Sequence, residues 1–301
     1  MKKIIILKHG GGELANQLWN YISIYAYGLE TGAEVQNPSF FEYHPYFKFI
    51  EHENFLTRFF SYWFRDSIGR RGSSRNRFWR NAYLAYAHSV QFFVRNSVVS
   101  SENEGNQVVY LPTTLPTKDT LYFVGWLFRN PAGLKRCRRE LVSAFTPNSA
   151  IEKKVTDIIG SLRQTHEKII GVHIRQHDYR EFKGGAYFID QTRVKEIIDE
   201  FIQRNSINKN ATLFLITSDG PIEGSIFRNL NTYISKEDSV TDLFLLSSTD
   251  MIIGSDSSFG AFASWYGNIP HIVMTKNQMD WNYYADKKEF FENKYAKMVQ
   301  C

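Results

Sequence analysis

The sequence predicts an α/β chain of two domains, each built on a parallel sheet, and three observations lead there. The chain opens with a β-branched run, a glycine loop and a helical pattern, the start of a Rossmann-like unit. Its second half alternates short apolar runs with helical patterns, as parallel strands joined by helices do. Its 301 residues amount to about two domains at roughly 150 residues each.

The elements follow in order. Residues 3–7 are a buried first strand, and the loop His9-Gly10-Gly11-Gly12-Glu13 follows directly. The apolar run before that loop is too short for a signal peptide and breaks at Lys8 and His9. From about Ala15 to Glu30, Leu18, Ile22, Tyr25 and Leu29 recur at helical spacing. Residues 40–100 are dense in Phe, Tyr, Trp and Arg. They read as amphipathic helices with a solvated basic loop near Arg70–Arg77, or as a surface that lies against a membrane or grips an acceptor. Residues 101–106 are a loop, and Val108–Leu111 and Leu121–Leu127 are strands. A helix over Pro131–Phe145 starts with proline in its first turn. Thr146–Ser149 breaks the pattern and places the domain boundary, giving domains of 1–148 and 149–276.

The second domain opens with a helix over Ala150–Arg163. Strands are expected at Lys168–Arg175, Ala211–Ser218, Thr232–Ile234, Met251–Gly254 and His271–Met274. Helical patterns lie at Gln191–Arg204, Ile222–Asn229, Val240–Ser247 and Phe259–Tyr266. Residues 277–301 read as a polar, helical tail that packs back on the first domain.

Composition narrows the function. A net charge of +5 favours anionic partners without choosing among them. An aromatic fraction of 16% supplies stacking faces for sugars or bases as well as core volume. Two cysteines, Cys137 and Cys301, make neither a disulfide framework nor a metal cluster, so a reducing, cytoplasmic setting is expected. No stretch reaches the roughly 20 apolar residues that span a bilayer, so any membrane contact is peripheral, through the basic-aromatic region 55–97.

Four segments can carry chemistry. In Gly171-Val172-His173-Ile174-Arg175-Gln176-His177-Asp178-Tyr179-Arg180, a strand delivers His173, Arg175, Asp178 and Tyr179 to its carboxyl end, where open parallel sheets bind ligands. An arginine there stays charged and can fork onto two phosphate oxygens; a structural Arg–Asp pair is the equally weighted alternative. His173 and His177 sit four apart but on a strand end, so no zinc pair is expected. Ser255-Asp256-Ser257-Ser258 opens a helix before Phe259, combining N-capping with an anion cradle. Thr217-Ser218-Asp219-Gly220 ends a buried strand, where Asp219 either accepts bonds from a ligand or forms a turn. In the first loop, Gly11, Gly12 and Asn16 are candidates for close backbone and side-chain approach to a ligand. The dinucleotide frame is absent, which disfavours a nicotinamide enzyme.

Together these segments resemble glycosyltransferase family 11, the bacterial α-1,2-fucosyltransferases, with a pattern shared by α-1,6- and protein O-fucosyltransferases. Gly12–Tyr21 resembles the family's opening glycine loop and helix, and His173–Tyr179 its H-x-R-R-x-D-Y element. Thr217–Asp219 and Asp242–Ser247 with Ile253–Phe259 resemble the remaining two.

The resemblance implies a GT-B fold, two Rossmann-like domains facing a cleft. It implies inverting transfer of fucose from GDP-fucose to a glycan hydroxyl, α-1,2 to galactose, with no metal or other cofactor. The second domain would hold the donor and the first the acceptor. Arg175 would neutralise the β-phosphate and Asp219 would read the guanine. Ser257, Ser258 and Phe259 would bind the diphosphate side, and His173 would line the nucleotide pocket. Asp178, Glu13 and Glu181 are the candidate bases, the first two ranked together. The chain departs from the pattern at Gln176, Glu13, Ala15 and Asp256. Those departures leave open another GDP-sugar, or a nucleotide- or sugar-binding relative without turnover. A nucleic-acid-binding role for 59–80 leaves the motifs of the second half unexplained, so no nucleic-acid partner is expected.

Overall fold

The computed structural model describes residues 2–9, 12–48, 55–64, 74–101, 108–111, 115 and 117–293. They form two compact units that divide between Ser149 and Ala150.

The first unit contains β1 (Lys3–Lys8), α1 (Leu14–Thr31), β2 (Glu34–Gln36), α2 (Phe55–Trp63), α3 (Ser74–Phe93) and β3 (Val98–Ser100). It continues with β4 (Val109–Tyr110), β5 (Thr120–Val124), β6 (Phe128–Arg129), α4 (Pro131–Arg136) and α5 (Arg138–Ala144). Its main sheet has the order β2-β1-β5-β3 and every pair is parallel; β4 and β6 make a separate parallel ribbon. Leu14, Leu18, Trp19 and Ile22 bury α1, as the periodicity requires, although Leu29 is exposed. Asn20 is buried on α1 and is satisfied across the unit: its amide donates to the Gly125 carbonyl (3.1 Å) and its oxygen accepts from Phe128 N (3.2 Å). A buried amide with both ends engaged locks α1 to the turn after β5.

The second unit contains α6 (Ser149–Arg163), β7 (Lys168–Ile174), α7 (Gln191–Arg204), β8 (Thr212–Ser218), β9 (Thr232–Ile234), α8 (Ser239–Ser247), β10 (Met251–Gly254), α9 (Ser258–Gly267), β11 (His271–Val273) and α10 (Trp281–Tyr284). The sheet order is β11-β10-β7-β8-β9, parallel throughout. The chain grows outward from β7 through β8 to β9, then returns to the other side of β7 with β10 and β11. The switch point therefore lies between β7 and β10, where an open α/β sheet leaves a crevice at its carboxyl edge. Ile170, Val172, Ile174, Phe214 and Ile216 build a core with Val194, Ile197, Ile198 and Phe201 of α7 on one face. The opposite face, with Gly171 and His173, is covered by α8 and α9. A Cβ on Gly171 would lie 2.8 Å from Leu246, so glycine lets α8 close onto the strand.

Some expected elements differ. The strand expected over Leu121–Leu127 ends at Val124, because Gly125 turns the chain at φ 117°, and β6 begins only at Phe128. Pro131–Phe145 is two helices broken at Cys137. Ile222–Asn229 reduces to a 3-10 turn over Gly224–Phe227, since Pro221 and Gly224 weaken a helix there. The edge strands β2 and β3 have three residues each, too few for an alternation to register.

The described part of the tail, residues 277–293, packs within the second unit. Trp281 packs on Phe201 and donates to Glu200 (2.9 Å), and Tyr284 accepts from Val273 N through its hydroxyl (3.1 Å). These bonds belong to the second unit, whose apolar α7 and β11 offer the tail aromatics a place to bury. Residues 294–301 lie outside the described residues.

Candidate functional site

The carboxyl edge at the β7–β10 switch point gathers most of the predicted groups. His173 is the penultimate residue of β7 and pairs in register with Gly254 of β10. Ser255 N then donates to the His173 carbonyl (2.9 Å), and the Ser255 hydroxyl accepts from Arg175 N (3.0 Å). Two strand ends are thus laced together just where the chain leaves the sheet.

Arg175 is the centre of an ion-pair cluster. Its terminal nitrogen donates to Asp178 at 2.6 Å, its Nε lies 3.2 Å from Asp219, and its guanidinium sits 5.2 Å from the Tyr179 ring centroid. The guanidinium is largely shielded, with its side chain 16% exposed, whereas Asp178 is 58% exposed. Asp219 also accepts from Gln176 N at 2.6 Å, so both of its oxygens organise the loop after β7. Tyr179 closes the cluster by donating to the Asp256 carbonyl at 2.7 Å, linking the loops after β7 and β10. Burial pushes its phenol up to about 12, so it acts there as a donor.

His173 is buried and stacks on Phe259 (centroids 4.8 Å apart, planes 27° apart). Its Nδ1 lies 3.3 Å from the Thr217 hydroxyl, while its Nε2 is buried without a hydrogen-bond partner among the described residues. Burial, then the charge of Arg175, hold its pKa well below the usual imidazole value. His271, buried beside Gly254 and Gly260, is pushed down to about 3 by burial. Both rings are therefore neutral at working pH. For a base with a lowered folded pKa, the unfolded chain binds the extra proton, so the stability gained is full above about pH 6.5 and declines as pH falls through that value. Proton NMR is expected to show two imidazoles, assigned with His173→Asn and His271→Asn, that do not titrate from about pH 8 to pH 5. A midpoint inside that window at either ring contradicts their burial as neutral groups.

Ser257 N-caps α9 and accepts from Gly260 N (3.4 Å), leaving Ser258 and Phe259 as the first residues of the helix. The start of α9, with its N–H groups and partial positive charge, stands next to the β7 loop and can receive an anion.

Gln176 and Asp242 went beyond what sequence reasoning assigned. Gln176 is buried and donates to the Ser218 hydroxyl and the Pro221 carbonyl (2.9 Å each), and accepts from Gln191 (3.1 Å). Its amide fits a saturated pocket. Asp242 on α8 is buried and accepts from the Ser235 hydroxyl just beyond β9. Burial, reinforced by Asp238 and Glu237, raises its carboxyl to about 7. Its signal in the sequence was a lone carboxylate in the apolar helix Val240–Ser247.

The other predicted residues belong to the first unit. Gly12 adopts φ 80°, and a Cβ there would lie 2.7 Å from Asn16 Cβ, so the loop demands glycine. Gln17 donates to the Gly12 carbonyl (3.2 Å), and Glu13 is the exposed N-cap position of α1 without a side-chain cap bond. Gly11 lies outside the described residues, and Glu181 is exposed in the loop after β7. Among the described residues, no group of three or more His, Cys, Asp and Glu is placed to hold a metal, and no helix is long and apolar enough to cross a membrane.

No protein-family model matches this chain, and no curated protein matches it by sequence. Solved structures do. POFUT1 in complex with GDP-fucose aligns with a TM-score of 0.54 at 12% identity, over 92% of this chain and 96% of that one. A second crystal form of that complex gives 0.53 at 10% identity, over 92% and 95%. A mutant of Arabidopsis thaliana FUT1 in complex with GDP gives 0.51 at 13% identity, over 92% and 71%. The mixed α/β fold with parallel sheets is therefore the fold of these fucosyltransferase structures.

Proposed function

We propose that the protein is an inverting, metal-independent glycosyltransferase of GT-B type that transfers fucose from GDP-fucose to a hydroxyl of a glycan, in α-1,2 linkage to galactose. The observation that carries this reading is Arg175, a shielded guanidinium at the tip of β7 beside the opening of α9. The likeness to structures holding GDP-fucose and GDP supports it, as do the motifs at His173–Tyr179 and Ser255–Phe259.

In this reaction the acceptor oxygen bonds to the anomeric carbon as the bond to the β-phosphate oxygen breaks, and GDP leaves with the electron pair. Charge builds on the diphosphate. Arg175 and the first N–H groups of α9 stabilise it, with Ser257, Ser258 and Phe259 on the diphosphate side, and preorganised charge of this kind is the largest catalytic contribution available. To offer its fork to a diphosphate, Arg175 gives up its bond to the exposed Asp178 and keeps its pairing with Asp219. Asp219 thereby positions Arg175 as well as facing the guanine. His173, neutral and stacked on Phe259, lines the nucleotide pocket. Asp178, released when Arg175 turns to the diphosphate, and Glu13, exposed at the start of α1 with Gly12 and Asn16 shaping its loop, are the two carboxylates proposed to take the acceptor proton.

A panel of GDP-, UDP- and CMP-sugars with and without EDTA tests the proposal. GDP-fucose is expected to be bound and slowly hydrolysed, with no effect of the chelator. Preference for a UDP- or CMP-sugar, or loss of turnover in EDTA, overturns it, and GDP binding without turnover identifies a non-catalytic relative instead.

A further inference from the structure

The reaction leaves one part of the first unit unused, the outer face of α2 and α3. The inner face is ordinary core: Phe60, Tyr83 and Ala87 are buried with Leu7 and Phe41. The outer face is not. Phe55 is 77% exposed, Phe78 62% and Tyr62 58%, and Phe59 and Trp63 are also exposed. These rings are contiguous. Phe55 touches Phe59 (6.1 Å), Phe59 touches Trp63 (6.4 Å), Trp63 stacks on Trp79 (5.3 Å) and Trp79 meets Phe78 (5.2 Å). A continuous aromatic surface facing water forfeits the burial that stabilises such side chains elsewhere, and it marks a place where something docks.

Charge identifies the occupant. Neither α2 nor α3 contains a single Asp or Glu, in a chain with 31 of them. Arg58 and Arg77 are exposed; Arg58 lies one helical turn from Phe55 and Tyr62 on α2, and Arg77 precedes Phe78 on α3. Exposed aromatic rings and arginines on two helices that contain no Asp or Glu match the interface of an anionic bilayer, where rings settle at headgroup depth and guanidinium groups meet lipid phosphate. A second copy of the chain would set the same arginines against one another. Binding of single-stranded nucleic acid instead is one outcome of the test.

We infer that the outer face of α2 and α3 is a peripheral docking surface for an anionic lipid bilayer. The inference does not depend on the proposed reaction, because none of its residues belongs to the donor site.

Flotation of the full chain with vesicles tests it. Binding is expected to phosphatidylcholine vesicles carrying phosphatidylglycerol at about 3:1, and to fall at least roughly tenfold on pure phosphatidylcholine or in about 0.5 M salt. Phe55→Ser with Phe78→Ser, and separately Arg58→Glu with Arg77→Glu, are each expected to cut binding roughly tenfold or more. All four residues are exposed, so thermal melting and the far-UV spectrum should match the parent and show that a loss is not unfolding. Failure of the parent to bind anionic vesicles overturns the inference. So does equal binding by both variants, or an effect of the substitutions only on dimerisation or on binding of single-stranded DNA.

Discussion

Arg175→Ala is expected to lower turnover by about 10²–10³-fold, the usual consequence of removing one preorganised charge from a site that stabilises a departing anion. The guanidinium is shielded, so the phosphate charge it meets is screened less than on an open surface. Arg175→Lys keeps the charge but loses the fork and the stacking on Tyr179, so it should recover only part of the loss. The fold should survive, because Asp219 keeps its bond from Gln176 N and Asp178 is solvated. Steady-state kinetics with GDP-fucose, together with GDP titration, provide the measurement. Near-normal turnover and an unchanged donor KM in Arg175→Ala would remove the basis for the proposed chemistry.

Asp242→Asn is expected to stabilise the protein, and increasingly so as pH rises. Burial lifts the Asp242 carboxyl from its ordinary 3.8 to about 7. The native protein therefore retains this proton where the unfolded chain has lost it. The stability it contributes is complete below pH 3.8 and disappears as pH climbs to about 7. Asparagine has no proton to lose and can still accept from Ser235. The advantage of the variant should grow by about 2–3 kcal/mol between pH 5 and pH 8, at about 1.36 kcal/mol per unit. Urea unfolding of both proteins at the two pH values measures it. An advantage that is flat with pH would show that Asp242 ionises as it does in water.

Much of the second unit was legible because its signals are local. Ile169–Val172 and Leu213–Ile216 are unbroken apolar runs, and an unbroken run means a strand covered on both faces. The polar residues after them therefore had to lie at a strand end. The edge strands β2 and β3 left no such trace, since their partners β1 and β5 supply the reason for their conformation. The aromatic segment 55–93 was legible as helical, but composition could not tell which rings face inward. Phe60 and Phe59 are neighbours in sequence and opposite in burial because one meets Tyr83 and Phe41 while the other looks outward.

By itself the sequence determined the α/β character of the chain and the polar clusters that end its apolar runs, for the alternation of side chains along a strand is written residue by residue. Tertiary structure alone decided that Asp178 and Asp219 share one guanidinium, that Ser255 holds the backbone of Arg175, and that Asp242 keeps its proton near neutrality. Each of those depends on groups 3 to 80 residues apart, or on the exclusion of water, and the folded chain is what brings about both.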